Sequence, residues 1–305
     1  MPVSLVISRP LLTPTLLWSL DRVLRGEVVV GLIMGRGTWS WIVPDGLWEI
    51  AKPLIPPLKV RPQGGGTQDT PDETVFAAIV YVLVSGCAWR ALPPCTGYRS
   101  RRPIAGSCIW SRAGVWGRLH EEIVHRLYDA SLLDLSRAVL ESAHVRAKKG
   151  GEHTGPSPVD RGRPGSKMHV LSDANGLPLV VGVSAANVHD SLALKPMVAG
   201  HQTRHDPHRG RCFKPQRLHA DKAYDVPHLR KWLRCKRIGV RIARKGIESS
   251  ERLGRRRWVI ERTMSWLTGY RRLNHRYERN PRNYLAFLGL AAALCCYKRL
   301  IRLTT

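Results

Sequence analysis

Residues 167–171 and 177–183 read as two strands separated by Ser172, Asp173, Ala174, Asn175 and Gly176, and this arrangement restricts the fold more than any other stretch of the chain. Asp and Asn bond to their own backbone and Gly tolerates left-handed geometry, so the five residues predict a tight turn and the segment a two-stranded hairpin. Around it, residues 138–145 read as a strand carrying Glu141, and 217–220 as a strand that ends at Asp221. A helix is predicted over 226–234, a strand over 239–243, and a long helix carrying Glu261 over 249–267.

Upstream, Pro44, Asp45 and Gly46 start a helical stretch over 47–54, and Thr70, Pro71, Asp72 and Glu73 form the N-terminal signal of a helix over 72–85. Residues 96–108 break the pattern with Arg99, Arg101, Arg102 and Pro103, and helical texture resumes from Trp110 through Trp116, Leu119, Ile123 and Leu127. The apolar run over 285–297 is too short for a bilayer and predicts a buried terminal helix. Strand, hairpin, strand, helix, strand, helix is the order of a mixed-sheet α/β core of the ribonuclease H-like kind. The expected organisation is an unmatched extension over 1–42, a helical DNA-binding module over 43–130 disrupted at 96–108, and a catalytic domain over 131–305.

Charge restricts the partners. The chain of 305 residues carries 49 Lys and Arg against 23 Asp and Glu, a formal net charge of +26 spread along its length. Such a body attracts a polyanion by releasing condensed counterions, which points to nucleic acid rather than a membrane. The N-terminus resembles a signal peptide only loosely, so the cytoplasm is expected. Seven cysteines without paired spacing argue against a disulfide framework and a zinc ribbon. His201, His205 and His208 read as a solvated loop, and without a phosphate-binding Gly-rich loop an NTP-driven motor is not expected.

Glu141, Asp221 and Glu261 suggest a metal-dependent DNA-processing site. Acids converging from two strands and a helix can hold two divalent ions about 3.5 to 4 Å apart, which activate the attacking oxygen and stabilise the leaving one. Mg²⁺, a hard ion, suits carboxylate and phosphate oxygens, and Mn²⁺ can substitute. The basic residues set against DNA are Arg146, Lys148, Lys149, Lys222, Arg255, Arg256, Arg262, Arg271 and Arg272, with Trp258 and Trp266 most simply core.

Ser142, Ala143, His144, Val145, Arg146 and Ala147 after the first acid, Asn187 to Ser191, Ala220 to Asp225, and the segment from Trp258 to Trp266 together resemble the DDE transposases of bacterial insertion sequences. The subgroup is insertion sequence family five, related to the family-four type, and the likeness covers about residues 43–302. It implies binding to terminal inverted repeats and target DNA as a homo-oligomer. It also implies hydrolysis at the element ends, with water as the first nucleophile, and strand transfer by the freed 3′ hydroxyl. Asp221 and Glu261 match the family's second and third catalytic acids, while Glu141 stands where the family has Asp. Residues 96–108 replace the family's helix-turn-helix and fit a local reading-frame excursion; residues 1–42 fit a mis-started copy.

Duller readings stand beside these. Asp221 can cap the following turn, Glu261 can pair with Arg257 or Arg262 along its helix, and His189 and Asp190 either close a loop or orient DNA or a ligand. The rival functions are a DNA-binding remnant that no longer cuts, and a host nuclease on the same core.

Overall fold

The computed structural model describes residues 42–57, 71–93, 101–200, 214–244, 246–247 and 250–304, with the backbone alone at 101–102, 250–257 and 304. His201, His205, His208, Cys95 and Cys212 lie outside the described residues, as do Thr70 and the extension before residue 42.

Among the described residues four α-helices precede the sheet: α1 (Leu47–Ala51), α2 (Asp72–Ser85), α3 (Arg101–Arg112) and α4 (Val115–Asp129). Helix α2 begins after Pro71 with Asp72 and Glu73 in its first turn, where carboxylates favour the helix dipole, and stops at Gly86 in left-handed geometry. It is buried nearly all round, from Val75 through Val80 and again at Val82 and Leu83, as befits a core helix.

Helix α3 corrects the expected break over 101–108, which is helical; residues 96–100 of that stretch lie outside the described residues. Its buried stripe is Pro103, Ser107, Trp110 and Ser111, small or polar except for one indole, so an apolar count misses it. Pro103 falls in the first turn, where no backbone donor is needed. A Cβ at Gly106 would stand 2.8 Å from Val75 Cγ1, so α2 and α3 approach closely at this glycine. Gly114, at φ 70°, separates α3 from α4, whose Val115, Trp116, Leu119, Ile123 and Leu127 are buried. Each contributes about 1.5–3 kcal/mol relative to exposure.

The sheet contains β1 (Ala138–Ala147), β2 (Gly155–Pro156), β3 (Pro164–Ser172), β4 (Pro178–Ala185), β5 (Arg217–Ala220), β6 (Gly239–Ile242) and β7 (His275–Arg276). Between them lie α5 (Ser191–Val198), α6 (Pro227–Cys235) and α7 (Ser250–Thr268), and α8 (Pro281–Thr304) closes the fold. Strands β1, β3 and β4 form an antiparallel meander, whereas β5 joins β1 in parallel and β6 joins β5 in parallel. The sheet is therefore mixed and turns from antiparallel to parallel at β1. Every residue of β3 from Gly165 to Ser172 is buried, so both faces of the sheet are covered.

The hairpin turn is held by Asp173, whose carboxylate accepts from the backbone N–H of Asn175 at 2.9 Å, Leu177 at 2.7 Å and Asp134 at 3.1 Å. Burial raises its pKa to about 6 despite these donors. Gly176 takes φ +85° at the tip of the turn, and a Cβ there would meet Thr263 Oγ1 of α7 at 2.8 Å.

Helix α8 is longer than the predicted run and by length and composition would suffice to cross a membrane, yet 72% of its apolar window is buried. It packs on α4, α3, α2 and β4, as a core helix does. Before it, the wholly buried Arg276 donates to the carbonyls of Glu278 at 2.8 Å, His153 at 3.0 Å and Arg279 at 2.9 Å, to that of Glu152, and to Ser166 Oγ at 2.7 Å. This guanidinium ties the loop after β1 to the segment leading into α8.

Candidate active site

Glu141 and Asp221 are brought together by register. The parallel β1–β5 ladder pairs Ala138 with Leu218, Val139 with His219 and Leu140 with Ala220. One residue further along each chain stand Glu141, still in β1, and Asp221, just past the end of β5, so continuing the register sets them on one face, with neighbouring strands about 4.8 Å apart. On the same edge β1 is met by β7 only at Arg146 and Ala147. Between these two ladders residues 141–145, paired with β3 on their other side, have no strand on this edge among the described residues, and the two acids sit where the sheet opens.

Asp221 keeps extended backbone, φ −71° and ψ 170°, before the tight turn Lys222–Tyr224, and its carboxylate makes no capping hydrogen bond to that turn. The capping explanation for this residue therefore fails. Glu141 is half-buried, and its Oε1 accepts from the Ser142 N–H at 3.2 Å. The buried Tyr224 phenol beside them is driven well above its ordinary pKa, first by burial and then by the carboxylates of Asp190, Glu141 and Asp221. A local concentration of negative charge of this kind suits a cation.

On the opposite face of β1, Ser142 donates to Asp190 Oδ1 at 2.9 Å. The nearly buried Lys167 pairs with the same oxygen at 2.9 Å and donates to the Val188 carbonyl at 2.8 Å. Burial alone would raise the Asp190 carboxyl, but the hydrogen bonds from Lys167 and Ser142 and the Lys167 charge hold it below the usual range. His169, two residues along β3, bonds to Ser184 Oγ at 2.8 Å, and burial pushes its pKa down to about 4. Asp190 thus belongs to a polar network with Lys167 and Ser142, a pairing that the sequence reading does not assign to either residue. Their signal was available, because Lys167 and His169 fall on one face of an otherwise apolar strand.

Glu261 is exposed on α7, which packs against β1 and β3. The helix is seated by Thr263, whose hydroxyl donates to the Gly176 carbonyl at 2.6 Å, and by Arg262, which donates to the Asn175 carbonyl at 2.6 Å. Among the described residues no three His, Cys, Asp or Glu side chains are grouped closely enough to hold a metal, so Glu261 is not gathered to the Glu141–Asp221 pair.

The basic residues divide. Arg146, Lys148, Lys149 and Arg271 are exposed and Lys222 is half-buried; Arg146 also lies 3.9 Å from Asp160. The side chains of Arg255 and Arg256 lie outside the described residues. Arg272 must be withdrawn from the DNA-contacting set: it is 7% exposed, paired with Glu278 at 2.6 Å, and packed against the rings of Tyr277 and Phe287. Trp258 and Trp266, expected in the core, are instead 52% and 38% exposed.

Residues 125–296 match the family of transposase DDE domains. The chain belongs to the DDE transposases. Residues 43–120 of the transposase match a second family, described as putative transposases of the IS4/5 family. It is 40% identical over 153 residues to a Burkholderia cepacia protein described as a putative transposase for insertion sequence element IS402, covering 50% of this chain and 72% of that one. A second Burkholderia cepacia protein, described as an uncharacterised 16.2 kDa protein of insertion element IS402, is 36% identical over 124 residues, 38% of this chain and 81% of its own. Membership confirms the sequence-based assignment and implies a ribonuclease H-like fold, with which the mixed sheet agrees. It also implies nuclease and transesterase chemistry, the general use of divalent metal ions, and DNA as partner.

Proposed function

We propose that this transposase binds the terminal inverted repeats of its insertion sequence and performs Mg²⁺-dependent cleavage and strand transfer with Glu141, Asp221 and Glu261. The observation that supports the reading most is the β1–β5 register, whose last pair, Leu140 with Ala220, leads directly into Glu141 and Asp221 where the sheet opens. Two hard carboxylates fit Mg²⁺, with Mn²⁺ as a substitute. A bound ion would supply activation of the attacking oxygen and charge neutralisation at the leaving one. Glu261 is assigned as the third acid by the family resemblance, from a helix packed on β1 and β3.

Within this reading, residues 131–305 carry the chemistry and the helices over 43–130 hold DNA. Arg146, Lys148, Lys149, Lys222, Arg255, Arg256, Arg262 and Arg271 face its phosphates, and copies of the chain assemble on DNA in the cytoplasm. The net charge of +26 supports a large electrostatic share of that binding.

The test is Mg²⁺-dependent cleavage of a DNA fragment bearing the element's own end, comparing the chain with Asp221→Asn. Cutting by the wild type alone supports the reading; equal cutting by both sinks it. A second reading, a remnant that binds DNA without cutting, is favoured by one observation: Glu141 occupies a position where the family has Asp. The extra methylene carries its carboxylate further from β1, and metal-assisted displacement is sensitive to shifts near 1 Å. Salt-sensitive binding to the element's end without any metal-dependent nicking would establish it.

A further inference from the structure

The β1–β5 ladder ends at Leu140 with Ala220, one residue short of Glu141 and Asp221, and residues 141–145 have no strand on that edge among the described residues. Backbone pairing therefore does not fix the spacing of the two acids. Tyr224 is placed to do so. It closes the turn that follows Asp221, with its N–H donating to the Asp221 carbonyl at 3.0 Å. Its side chain is 1% exposed, and the turn packs against α5, the helix that Asp190 leads into.

The phenol oxygen is buried, yet it has no well-formed hydrogen bond among the described residues. The Ser142 hydroxyl lies close enough to act on it without the alignment of a full hydrogen bond. Buried hydroxyls are nearly always paired, so one left unpaired beside two acids calls for a use. Burial first, and then the charges of Asp190, Glu141 and Asp221, keep the phenol protonated, with a hydrogen to give. Ser142 gives its own hydrogen to Asp190 Oδ1 at 2.9 Å, which leaves its lone pairs to accept one. Asp190 is in turn held by Lys167 at 2.9 Å. A small closing movement would complete a line from Tyr224 through Ser142 and Asp190 to Lys167 at the open edge of β1.

We propose that Tyr224 is a positioning residue, whose hydroxyl donates to Ser142 and locks β1 to the turn after Asp221 when Glu141 and Asp221 close on a divalent cation. The proposal rests on the reading of these two acids as metal ligands, and adds to it a residue that acts through Ser142 rather than on the ion or the DNA.

The experiment measures Mn²⁺ binding to the full chain by electron paramagnetic resonance, beside urea unfolding of the metal-free protein. Tyr224→Phe keeps the ring and removes the hydroxyl. It is expected to weaken Mn²⁺ binding about tenfold to a hundredfold, the usual effect of removing a group that orients a ligand. The urea midpoint of the metal-free protein should stay level or rise, because no hydrogen bond is lost there. A packing role alone would do the opposite, lowering the midpoint and leaving Mn²⁺ affinity as it was. Ser142→Ala is expected to weaken binding by a similar factor, and adding Tyr224→Phe to it should cost less than about twofold more, since both act through one contact. Unchanged Mn²⁺ affinity in Tyr224→Phe, a lowered midpoint in that variant, or additive losses in the double variant would each overturn the proposal. Asp221→Asn separates it from the reading beneath. Mn²⁺ bound equally by Asp221→Asn and the wild type, or by neither, overturns the metal reading and the proposal with it. Loss in Asp221→Asn with none in Tyr224→Phe overturns the positioning role alone.

Discussion

Ser142, one residue beyond Glu141, donates its hydroxyl to Asp190 Oδ1 at 2.9 Å, and the same oxygen receives the Lys167 ammonium at 2.9 Å. Removing the carboxylate while leaving the ammonium buried is the costly change, because an uncompensated charge remains. Asp190→Ala is therefore expected to destabilise the fold by about 3–5 kcal/mol. Replacing both partners, as in Lys167→Met with Asp190→Leu, should recover much of that loss. Urea unfolding of the two single variants and the double variant measures the coupling; additive losses would show that the pair is not one unit.

The pH dependence of stability should contain two opposed contributions in one window. Asp173 has a folded pKa of about 6, above its unfolded value of 3.8, so its contribution is fully present below that value and is lost as pH rises through 6. His169 has a folded pKa of about 4, below its unfolded value of 6.5, so its contribution is present above 6.5 and lost as pH falls through 4. Each is worth about 3 kcal/mol at most, and they nearly cancel. Asp173→Asn, which keeps an acceptor for the turn, should leave the histidine contribution unopposed by that carboxyl, with a urea midpoint that falls steadily from pH 6.5 to pH 4. A profile for Asp173→Asn that matches the wild type would contradict this assignment.

Restoring the shorter acid at the first site bears on whether the element still moves. Glu141→Asp is expected to raise Mg²⁺-dependent cleavage on the order of a hundredfold if the extra methylene is what misplaces the carboxylate. The rate of nicking at the element's end, measured under single-turnover conditions, decides it. Equal rates would make Glu141 a tolerated ligand, and silence from both proteins would move the fault to the DNA-binding helices.

Gly176 joins the turn of the hairpin to the helix of Glu261. A methyl group there would face Thr263 Oγ1 at 2.8 Å while the backbone stays at φ +85°. Gly176→Ala should cost about 1–3 kcal/mol from backbone strain and loosen α7 before it unfolds the sheet. Hydrogen exchange of the α7 amides, compared with those of β3, tests the order of that loss.

Much of the architecture was legible because period and turn chemistry agreed. The residues around Asp173 gave the hairpin, and 217–220 coincided with β5 at both ends. What escaped the sequence had physical causes. Helix α3 buries Pro103, Ser107 and Ser111, so its core face carries little apolar signal. Strand β7 is two residues long and exists only because β1 is there to pair with it. Trp258 and Trp266 were assigned to the core because tryptophan usually is, and Arg272 to the surface because arginine usually is; both rules fail where a cation and an aromatic exchange places. The Glu141–Asp221 pair was foreseen as two acids in strands, but their adjacency needed the register.

Arg276 gives the molecule an order of manufacture. Its five donors close on Glu152, His153 and Ser166, more than a hundred residues earlier in the chain, and on the two carbonyls just after it. During synthesis the central strand and its acids emerge long before this clip, and before α8, which covers β4 and α4. Contacts between parts so distant in sequence form slowly. The strands that carry Glu141 and Asp221 therefore stay incompletely covered until Arg276 and α8 have been made, and a chain that stops before Arg276 lacks the clip between the loop after β1 and the segment leading into α8.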